Sequence, residues 1–442
     1  MKKIGFLFLL LVGAIAFLVS HQEAIPLQGG IHKVFPKQAY QADLQQLAQL
    51  LRDQHPQPFA HQTAAEFETL VNQQMQQLTD TTQIGSFVWQ CRALIASIGC
   101  GHTNIFRPQQ TLGLPIELQF PIFLQFINQQ AFLTEASELL PQIPRGTEIL
   151  SINGIDPANL QKKIYRHLSS DGYNKSAYAY RLNAEYHKYL PYQFNFPRSY
   201  TFEFRTDSTT TQKVMIPAGL RPKAQQKKEQ ECQDQLCFKV DTTKRVAILK
   251  IRSFAFYGDK LPYFKGFLDE SFATIADQNI TKLLLDFRDN GGGDPYCAVH
   301  LLQYLADHPF RYFEKNTFGY PDLQEEISVF SNRYQGKTWI LINGGGFSTT
   351  GHISALLKHH NWGDFVGQAT AASYRCNDNS TQIHLNKTGL RLYLPTLSFG
   401  VAVDPTPIIQ GIVPDSPIIP SLAKILSGED YMLKEALQKA SE

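Results

Sequence analysis

Between Lys282 and His360 one local order occurs twice: an apolar run of strand length, three glycines in a row, then an amphipathic helix. The first copy is Lys282–Phe287, Gly291-Gly292-Gly293 and a helix from about Tyr296 to Ala306. The second is Thr338–Ile342, Gly344-Gly345-Gly346-Phe347-Ser348 and a helix to about His360. Strands that are apolar throughout, without alternation, suit a sheet buried on both faces, as parallel sheets are. Their alternation with helices implies right-handed crossovers in an α/β layer. Val246–Ile251 and Tyr263–Ala276 extend the pattern upstream as a strand and a helix, so 238–425 is expected to form one α/β domain.

The remaining chain has a different texture. Apolar residues recur three and four apart at Leu44, Leu47, Leu50 and Leu51, and again at Phe67, Leu70, Val71, Met75 and Leu78, which predicts helices over much of 38–109. His55-Pro56-Gln57-Pro58 separates the first two. A third helix near Ser86 to Ile98 exits through Gly99-Cys100-Gly101-His102, so a loop presents that histidine. From 110 to 220 short runs such as Pro115–Phe120, Ile122–Ile127 and Tyr200–Phe204 read as strands of a β-rich module. The polar segment 221–237 reads as a linker or surface loop.

Residues 1–20 stand apart. Lys2 and Lys3 precede an apolar run from Ile4 to Val19, which reads as a secretory signal peptide or an uncleaved N-terminal anchor. The expected location is periplasmic or extracellular, with membrane contact confined to this segment. Such an address makes the six cysteines eligible for disulfides, and Cys232 and Cys237 flank a polar turn suited to a local link. No cysteine spacing matches a zinc site. Lys and Arg number 41 against 39 Asp and Glu, with no basic stripe, so nucleic acid is not an expected partner. Neither glycine triplet is followed by Lys-Ser/Thr and Gly-x-Gly-x-x-Gly is absent, so no nucleotide cofactor is implied.

Ser348 is the residue with the most chemical content. It stands where a buried strand turns into a helix, and free N–H groups at a helix N-terminus favour developing negative charge. A nucleophilic serine needs that setting, with the Thr349 N–H aimed at an oxyanion. The plainer role is a helix cap, which Ser fills commonly. The Asp289-Asn290-Gly291-Gly292-Gly293 loop would supply a second oxyanion donor, from Gly291 or Gly292. A base is also required. Of 13 histidines, His102 is distinguished by its glycine-flanked loop. His352 lies along the side of the Ser348 helix, and His359 and His360 read as helix C-terminal cations.

Ile98-Gly99-Cys100-Gly101-His102-Thr103, Leu284–Gly293, Gly346-Phe347-Ser348-Thr349-Thr350 and Gly411-Ile412-Val413-Pro414-Asp415 together resemble the S41 peptidases, the tail-specific C-terminal-processing proteases and their tricorn-like relatives. The resemblance covers roughly 40–420. It implies a crotonase-like, ClpP-related core and makes 110–220 similar to a PDZ domain. It also implies Ser348 as nucleophile, with Thr349, Gly291 and Gly292 forming the oxyanion hole. The processing branch places a lysine base where this chain has Ser373, so the tricorn-like pairing of Ser348 with His102 is favoured. Two positions depart from the pattern: Gly101 stands where a serine precedes the histidine, and Gly351 where Glu often follows the nucleophile. Asp404 matches the orienting acid by position, with Asp378 and Asp289 as rivals.

The resulting expectation is an exported serine peptidase that cleaves peptides or protein tails through an acyl-enzyme on Ser348, with no metal or organic cofactor. The rival readings are a non-catalytic binder on the same fold and an α/β-hydrolase esterase. The second is disfavoured because Thr350 replaces the final glycine of Gly-x-Ser-x-Gly and because His102 precedes the serine.

Overall fold

The computed structural model describes residues 30–106, 114–207, 209–219, 234–404 and 411–440. The N-terminal apolar run, Cys232 and most of the 221–237 segment lie outside them. Among the described residues no helix is long and apolar enough to cross a membrane.

The chain begins with three helices, α1 (Lys37–Gln54), α2 (Ala64–Gln76) and α3 (Ile84–Ser97), followed by strand β1 (Asn104–Phe106). The expected stripe on α1 is buried, with Leu44, Leu47 and Leu51 fully covered. A capping box starts α2: Thr63 Oγ1 accepts from the Glu66 N–H at 3.2 Å, and Glu66 returns the bond to the Thr63 N–H at 2.8 Å. On α3 nearly every side chain is buried, including Phe87, Val88, Cys91, Leu94 and Ile95.

A five-stranded antiparallel sheet follows, built from β2 (Leu124–Ile127), β3 (Gln130–Leu133), β4 (Glu148–Ile152), β5 (Ser199–Arg205) and β6 (Thr211–Pro217) in that spatial order. Two helices, α4 (Pro157–Tyr165) and α5 (Lys175–Gln193), interrupt it between β4 and β5. The sequence reading of this stretch as strands missed both helices. Their caps were legible: Asp156 accepts from the Asn159 N–H ahead of Pro157, and Asn174 accepts from the Ala177 N–H. The tyrosine-rich face of α5 and its internal Pro191 blurred the period. Pro115–Phe120, expected as a strand, is a 3₁₀ turn at Ile116–Leu118. The helices α1–α3 and this module share one apolar core, in which Leu94, Phe120, Leu182 and Phe202 are all buried.

The last part contains β7 (Leu236–Asp241), β8 (Val246–Ile251), α6 (Leu261–Asp277), β9 (Lys282–Asp286), α7 (Pro295–Leu305), β10 (Lys337–Ile342), α8 (Thr349–His359) and β11 (Asp364–Gly367). It continues with β12 (Arg375–Asp378), β13 (Thr381–His384), β14 (Arg391–Leu394), β15 (Leu397–Gly400), β16 (Ser416–Pro417), α9 (Leu422–Leu426) and α10 (Tyr431–Lys439). The main sheet runs β16-β11-β10-β9-β8-β7, parallel except for β7 at its edge. Leu283, Leu285, Ile340 and Ile342 face one core with α6, α7 and α8. Leu284, Trp339 and Leu341 face another with Met432 and Ala436 of α10. Both faces are covered, which is why these strands carry no alternation.

Two connections place the histidine loop against this sheet domain. Strand β1 pairs antiparallel with β14, Ile105 opposite Leu392, although about two thirds of the chain separates them. Buried Asp43 of α1 accepts from the N–H groups of Lys387 (2.8 Å) and Thr388 (2.7 Å) and from the Thr388 hydroxyl (2.5 Å).

Candidate active site

Two glycine loops meet at the C-terminal ends of β9 and β10. Arg288 is clamped by Asp286 (2.8 and 2.7 Å) and by Asp430, the N-cap of α10 (2.6 and 2.7 Å), which fixes the chain just after β9. Asp289 then adopts φ +62° and exchanges two hydrogen bonds with Asn343 at the end of β10: its N–H donates to Asn343 Oδ1 at 3.0 Å, and Asn343 Nδ2 donates to Asp289 Oδ1 at 2.8 Å. The Phe347 N–H donates to Asn290 O at 3.0 Å, and Thr349 Oγ1 to Gly293 O at 2.5 Å. Asp289, a rival for the orienting acid, is thus committed to joining the loops.

Ser348 sits at the crossing. Its backbone is held at φ +55°, ψ −125°, a conformation non-glycine residues keep only where the surroundings over-determine it. Its side chain makes no capping bond to α8. Near it lies the buried thiol of Cys376 on β12, which burial first, and then the carboxylates of Asp171 and Asp378, push upward. The capping role is therefore not the one the structure gives this serine. Gly292 lies against it: at φ +93°, an added Cβ would stand 2.6 Å from Phe347 O, 2.7 Å from Ser348 Cβ and 2.8 Å from Thr349 N.

Of the expected oxyanion donors, the Gly292 N–H is already spent on Asn290 Oδ1 at 2.9 Å. Among the described residues the Gly291 and Thr349 N–H groups have no acceptor.

His102 reaches this crossing from the other half of the chain. Its ring packs on that of Phe347, the residue before the serine, with centroids 4.4 Å apart. Nε2 lies 3.6 Å from Asp378 Oδ2, and Nδ1 is buried without a partner among the described residues. The carboxylate beside His102 is thus Asp378 of β12. Asp404, the residue expected from its position, is exposed and makes no hydrogen bond or ion pair with His102 among the described residues. It falls outside the β12–β15 pairing that carries Asp378 to the site.

A second carboxylate went unnoticed in the sequence. Asp171, between α4 and α5, is half-buried; its Oδ1 accepts from the Gly101 N–H at 2.8 Å, and its Oδ2 is buried without a partner among the described residues. Burial raises its pKa, opposed by His102, by the Gly101 hydrogen bond and by Arg181. No local motif marks it, since only the packing of α5 against α3 brings it near Gly101.

His352 and His360, also singled out in the sequence, stand in other settings. His352 is 3% exposed and held at about 3, chiefly by burial, so it is neutral at ordinary pH. His360, expected as a helix C-terminal cation, is held at about 4 by burial and then by His359 and His308, and it stacks on Trp362 at 4.3 Å. The two departures from the family pattern follow from space. A Cβ on Gly101 would come 2.5 Å from the Phe347 ring, which would have to shift, and one on Gly351 would come 2.7 Å from the Ala372 backbone, which cannot turn aside. Cys237 is disulfide-bonded, while Cys91, Cys100, Cys297 and Cys376 are free and buried. Among the described residues no group of three His, Cys, Asp or Glu could hold a metal ion.

Residues 245–417 match the model of peptidase family S41. In structure the chain is similar to mature CPAF, at 14% identity over 92% of this chain and 98% of that one, with a TM-score of 0.63. It is similar to CPAF complexed with lactacystin at 14% identity, covering 92% and 99%, with a TM-score of 0.64. These likenesses bear on the fold. No curated protein matches the sequence.

Proposed function

Residues 245–417 belong to peptidase family S41, which makes the chain a serine-type peptidase, and from that premise we propose that Ser348 is its nucleophile and His102 its general base. The observation that carries this is the pinned serine: a residue at positive φ, opening α8 without capping it, wedged against Gly292 and beside Phe347, on which His102 packs. In the proposed reaction the unpartnered nitrogen of His102 takes the Ser348 proton while Asp378 steadies the ring. The alkoxide attacks the scissile carbonyl, the oxyanion falls to the Thr349 and Gly291 N–H groups, and His102 returns the proton to the leaving amine. Water activated by the same histidine then releases the acyl-enzyme.

The finer parts of the proposal concern architecture and address. The β9–β11 layer with its glycine loops would be a crotonase-like core. The β2–β6 sheet would act as a PDZ-like module, taking a substrate tail along an edge strand by β-strand addition. The substrate would be a peptide or protein tail met outside the inner membrane. A fluorophosphonate probe tests the central assignment. Labelling should fall on Ser348 and vanish in Ser348→Ala, and His102→Ala should slow it by roughly 10²–10⁴-fold, the usual range for a lost general base. Folded protein that is not labelled, or a His102→Ala variant labelled at the wild-type rate, defeats the assignment.

A further inference from the structure

A cavity of about 840 Å³ opens beside His102, with His102 and Phe347 in its wall. That volume lies within the roughly 300–1,000 Å³ of ordinary ligand sites. Its charged lining is one-sided: Arg92 from α3, Arg181 and Lys188 from α5 and Arg391 from β14 face a single carboxylate, Glu185. Glu185 is already engaged, by Lys188 at 2.5 Å and by the Tyr189 hydroxyl at 2.6 Å. Among the described residues Arg92 and Arg181 bond only to backbone carbonyls, of His167 at 3.3 Å and of Ser169 at 2.6 Å. Arg391 Nε is buried with no hydrogen-bond partner among the described residues.

These guanidinium groups are also oriented. Arg391 lies over the Tyr393 ring at 5.4 Å, Arg92 over Tyr189 at 5.6 Å and Arg181 over Phe347 at 5.7 Å. Aromatic faces hold an arginine without using its donors, so the fork stays available for a planar anion. Like charges gathered in a partly enclosed space repel, and a buried donor without an acceptor is unfavourable. An incoming carboxylate relieves both.

We propose that this cavity is a substrate subsite that receives an acidic side chain of the peptide, Asp or Glu, on the His102 side of the scissile bond. The occupant follows from the peptidase reading above, and the test separates the two. Binding is measured on Ser348→Ala protein, so that nothing turns over, using coumarin-labelled peptides of one otherwise neutral sequence. One carries a central Glu and an amidated end, one a central Gln and an amidated end, and one a central Gln and a free terminal carboxylate. The Glu peptide should bind at least about tenfold more tightly than its Gln counterpart, the range of a charge-assisted hydrogen bond. The advantage should shrink at ~0.5 M salt, where screening is strong. Arg391→Gln with Arg92→Gln should abolish it, and Arg391→Lys, which keeps the charge and loses the fork, should retain part, with circular dichroism reporting the fold. Equal binding of the Glu and Gln amides overturns the subsite, as does an advantage that survives loss of both guanidiniums. A gain confined to the free terminal carboxylate overturns the acidic side chain as occupant. Fluorophosphonate labelling of the wild type is read in parallel. Labelling without a Glu preference removes the subsite alone, and a Glu preference without labelling removes the peptidase reading alone.

Discussion

Replacing Gly292 with Ala should damage the protein far more than the same change one residue earlier. At Gly292 the backbone is at φ +93°, and the new methyl would meet Phe347 O at 2.6 Å and Thr349 N at 2.8 Å, backbone atoms that cannot rotate aside. At Gly291 the φ is ordinary and nothing lies within 4 Å of the added carbon. Holding a non-glycine residue at such a φ costs of order 1–3 kcal/mol, and overpacking typically adds a further 1–3 kcal/mol. Gly292→Ala should therefore lose about 2–5 kcal/mol of stability and Gly291→Ala less than about 0.5 kcal/mol. Ordinary contact begins near 3.4 Å, so relief from 2.6 Å moves the Phe347–Thr349 backbone by about 0.8 Å. A misplacement near 1 Å can cost ~10²-fold in rate. Urea midpoints give the stability loss, and the rate of fluorophosphonate labelling per folded molecule gives the active-site loss. If Gly292→Ala is labelled at the wild-type rate, or if the two variants fall together, the close approach of the loops does not matter as argued.

The orienting acid can be assigned by a pair of substitutions. Asp378→Asn should lower kcat by roughly 10²-fold, within the range for disturbing a general base, while Asp404→Asn should stay near wild type; the reverse ranking would restore Asp404. Asp171 is expected to position the histidine loop, because its carboxylate accepts from the Gly101 N–H. Asp171→Ala should cost ~1–3 kcal/mol by orphaning that donor, and Asp171→Asn, which keeps an acceptor, should recover most of the stability and activity in a urea titration and a peptide assay. Stability should also fall on acidification. Burial holds His55 and His167 at about 4 and His352 at about 3, whereas an unfolded histidine titrates near ~6.5. Below that value the unfolded chain binds protons that the folded chain refuses, so each site contributes stability above pH ~6.5 and loses up to about 2 kcal/mol by pH ~5. A urea midpoint unchanged between pH 7 and pH 5 would contradict this.

What the sequence by itself determined is local in origin. Unbroken apolar runs at 282–287 and 338–342 identified strands covered on both faces, because burial on two sides removes alternation. Stripes three and four apart located α1 and α2, and two glycine-rich turns marked the strand ends where Ser348 stands. His102 stood out because glycines on either side of a helix exit imply a presented loop. Only the tertiary structure decided which groups meet there. The pairing of β1 with β14 and the anchoring of Asp43 at Thr388 carry His102 across the molecule to Phe347, and nothing near residue 102 encodes a contact with residues near 390. A second pairing, β12 with β15, holds the strand whose Asp378 lies beside the histidine in place of Asp404. Asp171, Cys376 and the arginine-lined cavity have no sequence signature for a similar reason: each acts through a neighbour supplied by a distant segment, and its chemistry comes from burial and proximity that exist only once the layers have packed.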